Sequence, residues 1–194
     1  DALHWRAKHY QSPAFGFIGG RIDLIPHQLY VAEQVSGRQI PRVLLSDQIG
    51  LGKTIEAILI IHRLLLSRRI ERVLIIVPET LVHQWFVECL RRFNLVFRII
   101  DADYMASRSD QNSTPFDEDQ LALISLDYLI HAPSLMQHAL QAAWDMIIVD
   151  EAHHILEESV EYRFLEQLAG RTTGLLLLTA TPQQLGHRSH FARL

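Results

Sequence analysis

Apolar residues come in short continuous runs, not in alternation. Val43 to Leu45, Val73 to Val77, Val96 to Ile100, Leu121 to Ile124, Met146 to Val149 and Leu175 to Leu178 each read as a strand. Unbroken apolar runs of this length suit strands covered on both faces, as in a parallel sheet. Helical stretches fall between most of them, notably Thr54 to Ser67, Leu81 to Phe93 and Tyr162 to Ala169. Pro26 opens an earlier helix, PHQLYVAEQV, and Gly37 is placed to end it. Alternation of strand and helix predicts an α/β fold, a mostly parallel sheet with helices on both faces. Ala102 to Gln120 is polar and acidic (Asp103, Asp110, Asp117, Glu118, Asp119) and reads as a surface loop. Residues 1–20, with Trp5, Tyr10, Phe15 and Phe17 among Gly16, Gly19 and Gly20, read as an aromatic arm or linker.

Bulk properties narrow the field. A chain of 194 residues, 48% hydrophobic and 21% charged, has the size and composition of one well-buried domain. Its apolar runs are too short to span a bilayer, and the amino-terminal stretch with His4, Trp5, Arg6 and Lys8 is not a signal peptide. Starting at Asp1 and not Met, the chain is expected to be a piece of a longer protein. Cys89 is the lone cysteine, so it reads as a buried thiol of a cytoplasmic protein. A net charge of −4 and a pI near 6.3 argue against coating nucleic acid by charge alone, while leaving room for a local groove.

The candidate chemistry centres on RVLLSDQIGLGKTIEA, Arg42 to Ala57. An apolar run stops at Ser46-Asp47, a turn carries Gly50 and Gly52, and Lys53-Thr54 open a helical pattern. Backbone N–H groups at a helix start attract an anion, and glycines let the chain bend close around a phosphate. Lys53 brings a positive charge to β- and γ-phosphates, and Thr54 offers a hydroxyl to Mg²⁺. The chain holds two lysines, Lys8 and Lys53, against sixteen arginines, so a lysine kept here suggests a specific task. Asp47 departs from the general G-x-x-x-x-G-K-S/T pattern at its first glycine. The bland alternative is an ordinary strand-to-helix turn.

A second site follows the run Met146 to Val149: Asp150-Glu151-Ala152-His153. Carboxylates at the carboxyl end of a parallel strand lie where ligands bind in open α/β sheets. On the same sheet as a phosphate loop, Asp150 can hold Mg²⁺ opposite Thr54, and Glu151 can orient or deprotonate the water that attacks the γ-phosphate. Alone, the pair would read as a helix cap or solvated turn. Thr179 and Thr181, in LTATP, either bond the Asp-Glu loop and relay a signal or merely cap a strand end; the chemistry leaves both open. The eleven histidines show no spacing typical of zinc sites. His153 and His154 read as part of the Asp-Glu segment, and His62, His83, His131 and His138 as residues of solvated helix faces.

Six segments in order, LIPHQ, DQIGLGKT, VPETLVHQW, ISLDYL, DEAHH and LTATP, resemble the superfamily-two helicases, most of all the Swi/Snf type. Within that type the chain is similar to a bacterial branch of RNA-polymerase-associated ATPases, through RVLIIVPETL, HQW, LRRFNL and QLG…SHFARL. The likeness runs from about Gly19 to Leu194. It implies a RecA-like P-loop NTPase fold, with 21–194 as the first ATP-binding lobe. It also implies ATP and Mg²⁺ as ligands, with Asp47, Gln48, Ile49, Gly50, Leu51, Gly52, Lys53 and Thr54 around the nucleotide and Gln28 reading adenine. The family carries Asp at the position of Asp47; Gln48 stands where Glu is usual. Thr80, Gln84 and Ser125 fall in motifs that touch the nucleic-acid backbone, and His153, Thr179 and Thr181 in those that couple the sites. Trp85, beside Gln84, is expected in the core.

The same resemblance implies a second RecA-like lobe in the full chain, supplying an arginine finger. The 194-residue lobe alone is then expected to bind Mg-ATP weakly and to hydrolyse it poorly. The reading is an ATP-driven translocase on double-stranded nucleic acid, in the bacterial cytoplasm, that remodels RNA polymerase. Its rivals are a DEAH-type RNA helicase lobe and a docking module that keeps nucleotide as a silent structural ligand.

Overall fold

The computed structural model describes residues 25–46, 52–108 and 114–180. The arm at 1–20, and with it Asp47, Gln48, Ile49, Gly50, Leu51 and Thr181, lies outside the described residues.

Six strands form one sheet: β1 (Arg42–Ser46), β2 (Val73–Val77), β3 (Arg98–Ile100), β4 (Leu121–Ser125), β5 (Met146–Val149) and β6 (Gly174–Thr179). Their order is β1-β6-β5-β2-β4-β3, and every pairing is parallel. Parallel pairing requires crossovers, and helices supply them: α1 (Pro26–Ser36), α2 (Lys53–Leu66), α3 (Val82–Phe93), α4 (Ala102–Ser107), α5 (Leu126–His131), α6 (Pro133–Gln141) and α7 (Val160–Gly170).

Successive strand residues point to opposite faces, so each apolar run feeds two cores. Val73, Ile75, Val77, Ile148, Leu176 and Leu178 pack with α1, α2 and α3. Leu74, Ile76, Ile124, Val149, Leu175 and Leu177 pack with α5, α6 and α7. Each fully buried Ile or Leu contributes about 1.5–3 kcal/mol. The edge strand β1 is pinned to the second layer by Arg42, whose guanidinium donates to the carbonyls of Ala169 (3.1 Å) and Thr172 (2.7 Å).

Three expectations need correction. Residues 102–107 are not loop: Asp101 accepts from the Tyr104 N–H at 2.8 Å and so caps α4. In the same polar stretch Phe116 is fully buried, edge-on to Trp144 at a centroid distance of 5.6 Å, and Asp119 pairs with Arg98 at 3.2 Å. Strand β3 starts two residues later than the apolar run, because Val96 is 65% exposed and only the later residues pair with β4. Finally, His62 is buried and packs its ring on Phe93 at 5.6 Å. Helix α2 lies between the sheet and its neighbours α1 and α3, so most of its circumference is covered, and the face carrying His62 is not solvated.

Candidate active site

All six strands run the same way, so the segments after β1, β5 and β6 emerge at one edge. In the order β1-β6-β5, the last strand separates the phosphate-loop strand from the carboxylate strand. Ser46 pairs with Thr179, and Val149 with Leu177, so Thr179, fully buried, sits between the two candidate sites.

Gly52 begins the side where a phosphate is expected. Its φ of +87° is the left-handed region that a side chain disfavours. A Cβ there would also meet the Gln28 side-chain nitrogen at 2.3 Å. Glycine therefore lets the start of α2 sit directly against Gln28, which is buried at the beginning of α1. Among the described residues no side chain caps the start of α2, and a helix start is a place that favours an anion.

Opposite lies Asp150, 9% exposed. Its Oδ1 accepts from the Glu151 backbone N–H at 2.8 Å, and its Oδ2 accepts from the Trp85 indole N–H at 2.8 Å. Burial pushes its carboxyl above the ordinary range; the Trp85 and Glu151 N–H bonds and the Lys53 ammonium pull back, and the Glu151 charge pushes up. Glu151 has φ +50°, a left-handed conformation that costs a non-glycine residue on the order of 1 kcal/mol. That turn lets the 3-10 segment Ala152–His154 fold back, bringing His153 Nδ1 to 3.1 Å from Glu151 Oε2.

Gly52, Lys53, Thr54, Gln84, Asp150, Glu151 and Ala180 line one cleft of about 340 Å³. The sequence-predicted lysine, hydroxyl and carboxylates thus come together. Hydroxyl and carboxylate oxygens are the donor set that suits Mg²⁺, and the glycine cradle at an open helix start suits a phosphate; Thr54 and Asp150 would hold the ion.

Of the residues expected to meet nucleic acid, Gln84 and Ser125 line two different hollows. Gln84 is exposed on the wall of the cleft, near Lys53. Thr80 is exposed in the 3-10 turn Glu79–Leu81. Ser125 is only 3% exposed, and its hydroxyl accepts from the Tyr128 N–H at 3.0 Å, capping α5. Ser125 borders a different hollow that also carries Glu79, Asp101 and Asp103. Trp85 is in the core, as expected, but its bond to Asp150 was not foreseen. The available signal was general: a buried indole N–H usually finds a partner.

The fold is that of a RecA-like ATPase lobe, and the comparisons give its family. The SNF2-related domain matches residues 1–192, and the chain belongs to that family. The RNA polymerase-associated protein RapA of Cronobacter sakazakii (strain ATCC BAA-894) is 52% identical over 202 aligned residues, covering 100% of this chain and 21% of that protein. RapA of Klebsiella pneumoniae (strain 342) shows the same identity and coverage, 52%, 100% and 21%. The chain therefore spans about a fifth of the length of these relatives. Among solved structures, the Sulfolobus solfataricus SWI2/SNF2 ATPase core in complex with dsDNA matches with a TM-score of 0.71 at 19% identity, over 84% of this chain and 33% of that one. The core domain of the same ATPase matches with a TM-score of 0.70 at 17% identity, over 94% of this chain and 36% of that one. At those identities the likeness establishes the fold.

Proposed function

We propose that the chain is the first RecA-like lobe of an ATP hydrolase that translocates on duplex DNA and remodels RNA polymerase complexes in the bacterial cytoplasm. Residues 21–194 form the lobe and 1–20 an arm leading into it. The observation that carries this reading is the shared cleft of Lys53, Thr54, Asp150 and Glu151. The 52% identity to RNA polymerase-associated proteins supports the polymerase partner, and the fold match to an ATPase core solved with dsDNA supports the duplex track. No described helix is long and apolar enough to cross a membrane.

In this reading Lys53 holds the β- and γ-phosphates, and residues 47–54 bind the nucleotide. Gln28 recognises adenine from its place beside Gly52. Glu151 orients the attacking water and accepts its proton. Thr54 and Asp150 would hold Mg²⁺, which would supply positive charge beside the phosphates. Thr80 and Gln84 contact the nucleic-acid backbone directly, while Ser125 acts through the turn it caps. Thr179, Thr181 and His153 link the cleft to that surface. A second lobe of the full-length chain closes over the nucleotide and contributes an arginine.

The test is ATP turnover by the full-length protein with duplex DNA, single-stranded RNA or no nucleic acid, beside a strand-displacement assay. Turnover should rise with duplex DNA, no strand should be released, and Lys53→Ala should abolish the stimulated rate. Release of an RNA strand would favour the DEAH-type helicase. Turnover that no nucleic acid alters would remove the motor reading.

A further inference from the structure

Asp150 and Glu151 border two cavities. One is the nucleotide cleft. The other, about 420 Å³, lies across them, with Ile76, Pro78, Val149 and Ile155 as apolar wall and His131 and His154 among its polar groups. The left-handed turn at Glu151 and the 3-10 segment behind it gather three ligand-type side chains between these cavities. Ligand atoms of Glu151, His153 and His154 all lie within 4.8 Å of one another. The two imidazoles lie against each other, centroids 4.0 Å apart and tilted 37°.

We propose that Glu151, His153 and His154 form a binding site for a borderline transition-metal cation such as Zn²⁺, and that its occupancy arrests hydrolysis. A tetrahedral zinc with bonds of about 2.0–2.2 Å spaces neighbouring ligand atoms about 3.3 Å apart. Glu151 Oε2 and His153 Nδ1 already stand 3.1 Å apart. Among the described residues neither buried atom has a hydrogen bond to a third group, so a cation would replace only their own 3.1 Å contact. His154 is exposed and needs only a rotamer adjustment to complete three ligands, leaving water in the fourth position. Two imidazoles with one carboxylate select zinc, copper or nickel over Mg²⁺, which takes oxygen donors.

The cavity that carries His154 gives a cation a way to the site outside the nucleotide cleft. Held there, the cation binds the Glu151 carboxylate and so withdraws the group read above as the base; this consequence rests on the proposed ATPase function, while the binding itself does not. Mg-ATP remains able to bind. The cation therefore lowers kcat with little change in KM.

The experiment uses the full-length protein in two arms. Without nucleotide, ZnCl₂ is titrated against a chromogenic zinc chelator for the wild type, His154→Gln and the control His83→Gln. The wild type and control should share one site that His154→Gln weakens at least about tenfold. Equal affinity in all three proteins would overturn the site. In the second arm, micromolar zinc should lower wild-type kcat and leave His154→Gln, whose basal turnover is unchanged, unaffected. Zinc bound through His154 with no loss of turnover would overturn the arrest. A protein with no ATPase activity at all would fail the functional proposal and leave the first arm decisive for the site.

Discussion

The indole N–H of Trp85 donates to Asp150 Oδ2 at 2.8 Å, joining two residues 65 positions apart in the sequence. The bond ties helix α3, which carries Gln84 on the cleft wall, to the carboxylate expected to help hold Mg²⁺. A hydrogen bond to a charged group is worth about 1.5–3 kcal/mol, and leaving a buried acceptor short of a donor loses it. Trp85→Phe keeps an aromatic ring in place and removes the N–H. It should raise the Mg²⁺ concentration needed for half-maximal ATP turnover by about tenfold or more. Turnover in a magnesium titration of the two full-length proteins checks this; coincident curves would leave the bond without a role in the site.

Asp150 also sets a pH dependence. Burial, as the largest cause, holds its folded-state carboxyl above the value of about 3.9 expected unfolded. The folded protein then binds a proton that the unfolded chain has already released. Stability from this group is therefore fully present below the unfolded value and lost as pH rises through the folded one. Chemical unfolding of the lobe from pH 4 to 7, as the difference between wild type and Asp150→Asn, should move against the wild type as pH rises. Mg-ATP affinity should move the other way, because the ion needs the ionised carboxylate. A stability difference flat across that range contradicts the assignment.

Gly52 has no substitute. Its φ of +87° and the 2.3 Å approach of a Cβ to the Gln28 side-chain nitrogen both oppose any side chain. Gly52→Ala should cost about 1–2 kcal/mol in unfolding free energy from the backbone alone. It should also push Gln28 out of position and weaken ATP binding. Denaturant melts and a fluorescent-nucleotide titration would measure the two effects, and wild-type values in both would refute the role given to this glycine.

Cys89 offers a probe of the core between α3 and the sheet. It is fully buried, and burial, with the neighbouring Glu88 charge, pushes its thiol up to about 12. A thiol-disulfide reagent at pH 8 should label it only as fast as the domain opens, with the rate climbing in urea. Rapid labelling in native buffer would mean that α3 is not seated as described.

Much of this architecture was legible because the strands are covered on both faces. The runs Val73 to Val77 and Met146 to Val149 match β2 and β5 residue for residue. Convergence of Lys53 with Asp150 and Glu151 followed from parallel strands sharing one ligand edge. The stretch 102–120 failed because its charge density conceals local chemistry: an Asp101 cap starts a short helix, and Phe116 supplies a buried ring amid acidic neighbours. His62 was misplaced because polarity says nothing about how many sides of a helix are covered. Contacts between distant residues, Trp85 with Asp150 above all, depend on the tertiary placement of α3 and carry no mark in local spacing.

In the proposed site one nucleotide meets the Lys53 amine, the Asp150 carboxylate and the Glu151 base in a single cleft. Single-turnover hydrolysis of Mg-ATP by the full-length protein on duplex DNA, wild type against Glu151→Gln, tests it most directly, with nucleotide affinity measured alongside. Affinity should stay within about twofold while the hydrolysis rate falls by at least about 100-fold, the loss expected of a general base. Hydrolysis at the wild-type rate in Glu151→Gln would mean that Glu151 is not the base.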